Sequence, residues 1–101
     1  MKADVAIQRE EFVRYIRKTG TSLGINIPFE VIEVLELKEN EILRVTLKKI
    51  KSDEKIDFVR YIRKTGTSLG INIPFEVIEV LQLKENELVT VITEKIQKNE
   101  K

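Results

Sequence analysis

The stretch FVRYIRKTGTSLGINIPFEVIEVLELKENE, residues 12–41, occurs a second time at residues 58–87. The two copies differ only where Glu36 of the first is replaced by Gln82 of the second. A unit of about forty residues is usually too small to enclose a stable hydrophobic core alone. We therefore expect the two copies to pack their apolar faces against each other across a pseudo-twofold axis.

The duplication also predicts the domain organisation. With a few more differences allowed, the repeats extend over residues 12–50 and 58–96, and a polar connector lies at residues 51–57. The chain length, 101 residues, is that of one compact domain. We expect a single domain over residues 1–101, in which any site built by one repeat is present twice.

Two strands are predicted at the start of each repeat. Residues 12–16 are β-branched and aromatic, as is typical of a strand. Residues 19–24 predict a turn in which two glycines permit positive φ, and residues 25–27 predict a short second strand. Pro28 is expected to end that strand, because proline has no N–H to donate to a sheet.

A helix is predicted after the proline. Residues 29–35 contain apolar side chains at helical spacing, which favours one buried stripe against the core. The side chains of this stripe are Val31, Ile32, Val34 and Leu35.

The repeat is predicted to end in a half-buried strand, because apolar and polar residues alternate over residues 43–47. The connector is short enough to form a hairpin with the first strand of the next repeat. Val5 and Ile7 predict an additional edge strand, and residues 97–101 are expected to fray. The sequence thus predicts a mainly β fold with two short helices, built from two ββαβ repeats.

Composition excludes several classes of function. The chain contains no cysteine and no histidine, so it lacks disulfides, thiolate zinc sites and the usual Ser–His–Asp and Cys–His mechanisms. No apolar run approaches the ~20 residues that cross a bilayer, and the first residues lack the apolar stretch of a secretory signal. We expect a cytoplasmic protein that is not an enzyme and has no cofactor, metal site or membrane partner. Its usage of Lys, Glu and Ile resembles that of thermophilic proteins.

Charge is segregated within each repeat, although the formal net charge is only +1. Residues 12–28 carry three basic and no acidic residues, whereas residues 29–41 carry five acidic residues and one lysine. The basic residues of both copies are Arg14, Arg17, Lys18, Arg60, Arg63 and Lys64. Six cations beside hydroxyls and turn amides favour a nucleic-acid surface, and the alternative is a merely solvated strand end. In a regular strand Arg14 and Arg17 would point to opposite faces, so a bulge or twist is needed to bring them together.

Other motifs favour structural roles. The glycine-rich residues 20–24 are similar to a phosphate loop but lack its Gly-Lys-Ser/Thr ending, so we expect a structural turn. Glu30 and Glu33 are spaced as paired carboxylates, yet on an amphipathic helix they are expected to form a solvated face. Tyr15 and Tyr61 lie beside basic residues, where they either stack on bases or pack in the core or at a sheet edge.

The run RKTGTSLGINIP at residues 17–28, followed by a helix and LKENE at residues 37–41, resembles the AbrB/MazE-type DNA-binding domain. The resemblance covers about 80 of the 101 residues. In that family two chains usually interleave hairpins into one swapped-hairpin barrel, and the related cradle-loop and double-psi barrels hold two such halves in one chain. The resemblance therefore implies a pseudo-twofold β-barrel of this type.

The resemblance also implies a DNA-binding site at the strand end and turn of each repeat. The matching residues are Arg17, Lys18, Thr21 and Ser22, with their copies Arg63, Lys64, Thr67 and Ser68. Many family members have a basic residue before Ile-Pro, where this chain has Asn26 and Asn72. Asparagine still bonds a phosphate or a base edge, so both belong to the expected site.

Three functions follow as hypotheses. The first is an AbrB-like transcriptional regulator that contacts double-stranded DNA through its paired basic strand-end turns. The second is an antitoxin-like module that binds a protein partner, and the third is an engineered or ancestral-like barrel scaffold without a ligand. Exchange of such similar repeats between two chains would also give a swapped homodimer.

Overall fold

The computed structural model describes residues 8–96, which form eight strands and two helices. The elements are β1 Arg9–Tyr15, β2 Arg17–Thr19, β3 Ser22–Asn26, α1 Phe29–Leu35, β4 Ile42–Lys49, β5 Lys55–Tyr61, β6 Arg63–Thr65, β7 Ser68–Asn72, α2 Phe75–Leu81 and β8 Leu88–Lys95. The fold is mainly β with two short helices, as predicted. Each repeat contains one more strand than the predicted ββαβ order. The first predicted strand ends at Tyr15, and after Ile16 the chain forms a separate, exposed three-residue strand, β2.

The strands form two antiparallel four-stranded sheets. The first sheet has the order β1-β8-β4-β5, so strands of the two repeats alternate across it. The second sheet has the order β2-β3-β7-β6, so the hairpin of one repeat lies beside the hairpin of the other. Within residues 8–96 the edge strands of one sheet do not pair with the edge strands of the other. The chain connects β1 to β2 and β5 to β6, but no strand pairing joins the two sheets. The closed barrel therefore stays a prediction.

The strand registers follow the duplication. At the centre of the second sheet Ile25 lies opposite Ile71, and at the centre of the first Thr46 lies opposite Ile92. In each pair the two residues occupy equivalent positions of the two repeats. A pseudo-twofold axis therefore passes through the middle of both sheets.

One hydrophobic core is shared by the two repeats. The alternation predicted for the last strand is confirmed, because Leu43, Val45 and Leu47 are fully buried on β4. Among the described residues Thr93 of β8 is the buried polar side chain, and its hydroxyl donates a hydrogen bond to the carbonyl oxygen of Glu10 at 3.2 Å. The halves therefore interlock around a common interior.

The helix bounds are as predicted, but its buried stripe is narrower. Val31 and Leu35 are buried and Ile32 is partly buried, whereas Val34 is 59% exposed. The prediction that Val34 is buried is wrong, because this residue lies on the flank of the stripe and faces solvent.

The predicted turn is too long. Only Gly20 and Thr21 join β2 to β3, and Gly20 has φ 65°, as suits the first central residue of a two-residue hairpin. Gly24 lies inside β3 without positive φ, so the second strand is Ser22–Asn26 and not residues 25–27. A Cβ on Gly24 would lie 2.8 Å from the carbonyl oxygen of Ile71, so this glycine permits a close approach of β3 and β7.

The first strand of each repeat starts earlier than predicted. β4 and β5 form the expected hairpin, but β5 begins at Lys55, inside the predicted connector. The equivalent strand β1 begins at Arg9 and ends at Tyr15, because its pairing with β8 continues over these residues. The strand predicted at Val5 and Ile7 and the fraying of residues 97–101 lie outside the described residues. In residues 8–96 no helix is long and apolar enough to cross a membrane.

Candidate nucleic-acid interface

Two rows of residues cross the second sheet on its outer face. Arg17 lies opposite Gly24, and Gly24 lies opposite Asn72. The equivalent row of the other repeat runs from Arg63 through Gly70 to Asn26. Residues directly opposite in antiparallel strands project to the same face, so each row holds an arginine, a glycine and an asparagine on one face.

The opposite face of the same sheet is the core. Ile25 and Ile71 lie between the two rows and are both 2% exposed. Since successive residues of a strand alternate in direction, the two rows project away from the core. The candidate side chains Arg17, Arg63 and their asparagines therefore share the solvent face of one sheet.

The two arginines of this face lie close enough to act on one ligand. Arg17 and Arg63 are separated by three strand spacings and a two-residue offset in register. With ordinary strand spacings their Cα atoms are about 16 Å apart. A duplex of ordinary dimensions would span both.

The hydroxyl residues extend the same face, whereas the lysines do not. Ser22 lies opposite Thr19, and in the other repeat Ser68 lies opposite Thr65. All four side chains project to the same face as the two rows. Lys18 lies opposite Leu23 and Lys64 lies opposite Leu69, so both lysines project from the other face of the sheet, where they are exposed. Thr21 and Thr67 occupy the exposed hairpin turns.

The prediction that the basic turns are paired is wrong. Strands β3 and β7 pair antiparallel, so the turn at residues 20–21 lies at one end of the sheet and the turn at residues 66–67 at the other. The parts that lie side by side are the strands Ser22–Asn26 and Ser68–Asn72. The structure thus brings together the strand residues of the candidate site and separates its turns.

Arg14 and Arg17 come together through a change of sheet. Arg14 lies near the end of β1 in the first sheet, and Arg17 is the first residue of β2 in the second sheet. Arg14 Nε donates to the carbonyl oxygen of Asn26 at 3.0 Å. Between them Ile16 is fully buried, and its N–H donates to Glu87 O at 2.8 Å. This break supplies the twist that a regular strand lacks.

The second repeat has the same arrangement. Arg60 Nε donates to the carbonyl oxygen of Asn72 at 3.0 Å, and Ile62 N donates to Glu41 O at 2.8 Å. Tyr15 and Tyr61 are 61% and 62% exposed, so neither packs into the core.

A residue that sequence reasoning missed completes the site. Arg14, Tyr15, Arg17, Asn26 and Asn86 line a cavity of about 270 Å³. Asn86 belongs to the second repeat and has a positive φ of 72°. Its position beside the first repeat follows from pairing between the repeats, which the sequence of one repeat does not contain.

The candidate cations are not neutralised by the described part of the chain. Its two ion pairs join Lys49 to Glu87 at 3.3 Å and Lys95 to Glu41 at 4.0 Å, and neither includes a candidate cation. The four strands of the second sheet contain no acidic residue. Residues 8–96 also contain no cluster of acidic side chains arranged to hold a metal ion. This sheet face is therefore suited to an anion.

No family model and no curated protein matches the chain. Among solved structures, the chain is similar to the solution structure of PHS018 from Pyrococcus horikoshii, with a TM-score of 0.69 and 16% sequence identity. The match covers 94% of this chain and 100% of that one. At this identity the similarity shows a shared fold.

Proposed function

We propose that the chain is an AbrB-like transcriptional regulator that binds duplex DNA through the outer face of the β2-β3-β7-β6 sheet. The observation that carries this proposal is the pair of rows that place Arg17, Asn72, Asn26 and Arg63 on one solvent face without a carboxylate. Phosphate contacts supply most of the affinity of DNA-binding proteins, and guanidinium groups bind phosphate through two parallel hydrogen bonds.

The rows also suit recognition of a DNA duplex. Gly24 and Gly70 are buried beside the Asn72 and Asn26 side chains, so arginine and asparagine are the groups of each row that can meet a duplex. Arginine and asparagine side chains reach bases as well as phosphates. The pseudo-twofold relation of the rows matches the symmetry of a palindromic site, which twofold DNA-binding proteins commonly use.

We further propose that the two sheets belong to the swapped-hairpin and cradle-loop barrels that the AbrB/MazE resemblance implies. The alternation of strands of the two repeats within the first sheet supports this assignment. A DNA-binding role would place the protein in the cytoplasm.

Salt-dependent titration with duplex DNA tests the proposal. If Arg14 with Arg17, and Arg60 with Arg63, each neutralise one phosphate, the logarithm of the affinity should fall against the logarithm of salt with a slope of about −2. Replacing both outer-face arginines, R17Q with R63Q, should flatten this slope markedly.

The matched control removes the same charge from the other side of the sheet, as K18Q with K64Q. This variant should keep a clearly steeper slope than the arginine variant. Equal slopes for the two variants would show that the outer face has no special role. Absence of DNA binding at low salt would favour the scaffold hypothesis, and the native mass of the same sample separates a monomer from a swapped homodimer.

A further inference from the structure

The cavity beside the outer face is built from both repeats. Arg14, Tyr15, Arg17 and Asn26 come from the first repeat and Asn86 from the second. The cavity volume, about 270 Å³, lies below the range usual for whole small-molecule ligands. A cavity of this size suits one small polar group.

The lining side chains are rich in hydrogen-bond donors. Arg14 uses Nε on the carbonyl oxygen of Asn26, which leaves the four N–H groups of its two terminal nitrogens for a ligand. Arg17 is exposed and contributes a second guanidinium group. The side-chain amides of Asn26 and Asn86 and the Tyr15 hydroxyl add neutral donors, and no carboxylate lines the cavity.

Backbone contacts between the repeats hold the cavity in shape. The N–H of Ile16 donates to Glu87 O, and the carbonyl oxygen of Ile16 accepts from Asn86 N, both at 2.8 Å. Ile16 lies between Arg14 and Arg17 in the chain. These bonds therefore hold the backbone from which both arginine side chains extend. A site held in this way loses little entropy when a ligand binds.

The same contacts occur at the equivalent position of the other repeat. Arg60 Nε donates to Asn72 O at 3.0 Å, and Asn40 N donates to Ile62 O at 2.8 Å. Asn40 has φ 74°, close to the 72° of Asn86. By the pseudo-twofold symmetry these residues define a second composite site, in which Asn40 of the first repeat takes the place of Asn86.

We propose that each of these composite sites binds one tetrahedral phosphate group. Two guanidinium groups and neutral amide and hydroxyl donors without a carboxylate are the chemistry that recognises a phosphate dianion or diester. The inference rests on the proposed DNA binding, in which each site would hold one backbone phosphate at the edge of the outer face. Inorganic phosphate contains the same tetrahedral group and serves as the probe.

The experiment is a titration of the whole chain with inorganic phosphate at constant ionic strength, followed by the NMR signals of the arginine Nε–H groups. Arg14, Arg17 and the Asn86 amide should shift together and saturate, as should their copies. R17Q should weaken binding at the first site by about tenfold and leave the second site unchanged, since a charge-assisted pair is lost at the first site alone.

Two further variants separate the site from general charge effects. K18Q removes a charge on the other face of the sheet and should change neither affinity by more than about twofold. N86G keeps a residue that adopts positive φ and removes the amide, so it should weaken the first site by about threefold although it lies in the second repeat. Unchanged signals from the second site would show in each case that the fold is intact.

The outcomes distinguish this inference from the DNA proposal. Phosphate shifts that never saturate, or equal effects of R17Q and K18Q, would overturn the composite sites even if DNA binds. Saturable phosphate binding together with failure to bind DNA would support the sites and overturn the DNA proposal, which would leave free phosphate as the ligand.

Discussion

The two sheets share one pseudo-twofold axis but pack across it in different ways. In the second sheet the axial pair is Ile25 with Ile71, and the sheet has the same sequence in both repeats. In the first sheet the axial pair is Thr46 with Ile92, and six of the seven differences between the repeats lie on β4 and β8. The comparison shows where symmetry of structure requires symmetry of sequence.

The difference has a physical cause. At the centre of the second sheet Gly24 and Gly70 bring backbone against backbone, with no room for a larger side chain. At the centre of the first sheet the differing residues meet the rest of the molecule through their side chains, so one repeat can carry a buried Leu47 where the other carries a buried Thr93. Contacts between side chains allow compensating changes, whereas contacts between backbones do not.

The largest expected effect concerns Leu47 and Thr93, which occupy equivalent buried positions of the two repeats in the first sheet. Leu47→Ala should lower the free energy of unfolding by about 3 kcal/mol, because a fully buried leucine leaves a cavity. Thr93→Val keeps the shape and removes only the hydroxyl bonded to Glu10 O, so its loss should be about 1 kcal/mol. Urea denaturation measures both, and equal losses would contradict the idea that the two positions are stabilised differently.

A smaller effect is expected at the glycines of the second sheet. Gly24→Ala would place its Cβ 2.8 Å from Ile71 O and should cost about 2 kcal/mol through displacement of β7. Gly70→Ala should cost the same, because its Cβ would meet Ile25 O at 2.9 Å.

Gly20→Ala is the control for these glycines. Its Cβ would meet nothing within 4 Å, and its φ of 65° gives a cost of about 1 kcal/mol. A larger loss for Gly20→Ala than for Gly24→Ala in the same denaturation assay would show that the approach of β3 and β7 is not tight.

The smallest effect concerns two lysines at the end of the divergent strands. Lys49 Nζ donates to Leu81 O at 2.9 Å and Lys95 Nζ to Leu35 O at 3.1 Å, so each lysine caps the helix of the other repeat. Lys49→Met and Lys95→Met should each cost about 1 kcal/mol, since a cation stabilises the carboxyl end of a helix. Lys48→Met is the matched control, and a loss equal to that of Lys49→Met would remove the capping explanation.

Local patterns predicted the parts of the fold that depend on neighbours in the chain. The helix at residues 29–35 and the alternation through Leu43, Val45 and Leu47 followed from apolar spacing alone. The limits of β1 and the burial of Val34 were predicted wrongly, because both depend on what the neighbouring elements cover.

The arrangement of the candidate site depended on pairing between the repeats. Its residue types were visible as a basic segment, but the meeting of Arg14 with Arg17 depends on a change of sheet at Ile16, held by residues of the other copy. The separation of the turns depends on β3 and β7 running antiparallel, and the sequence of one repeat does not specify that direction.

One backbone contact brings the start of the first repeat beside the end of the second. Lys95 N donates to Gln8 O at 3.0 Å, which is the counterpart of the bond from Lys49 N to Glu54 O at 3.3 Å beside the connector. A short peptide linking residues 8 and 95 would therefore copy the existing connector. If the chain were closed by such a peptide and then cut in the connector at residues 51–57, the product would be a circular permutant. We expect it to have the same sheets and the same registers.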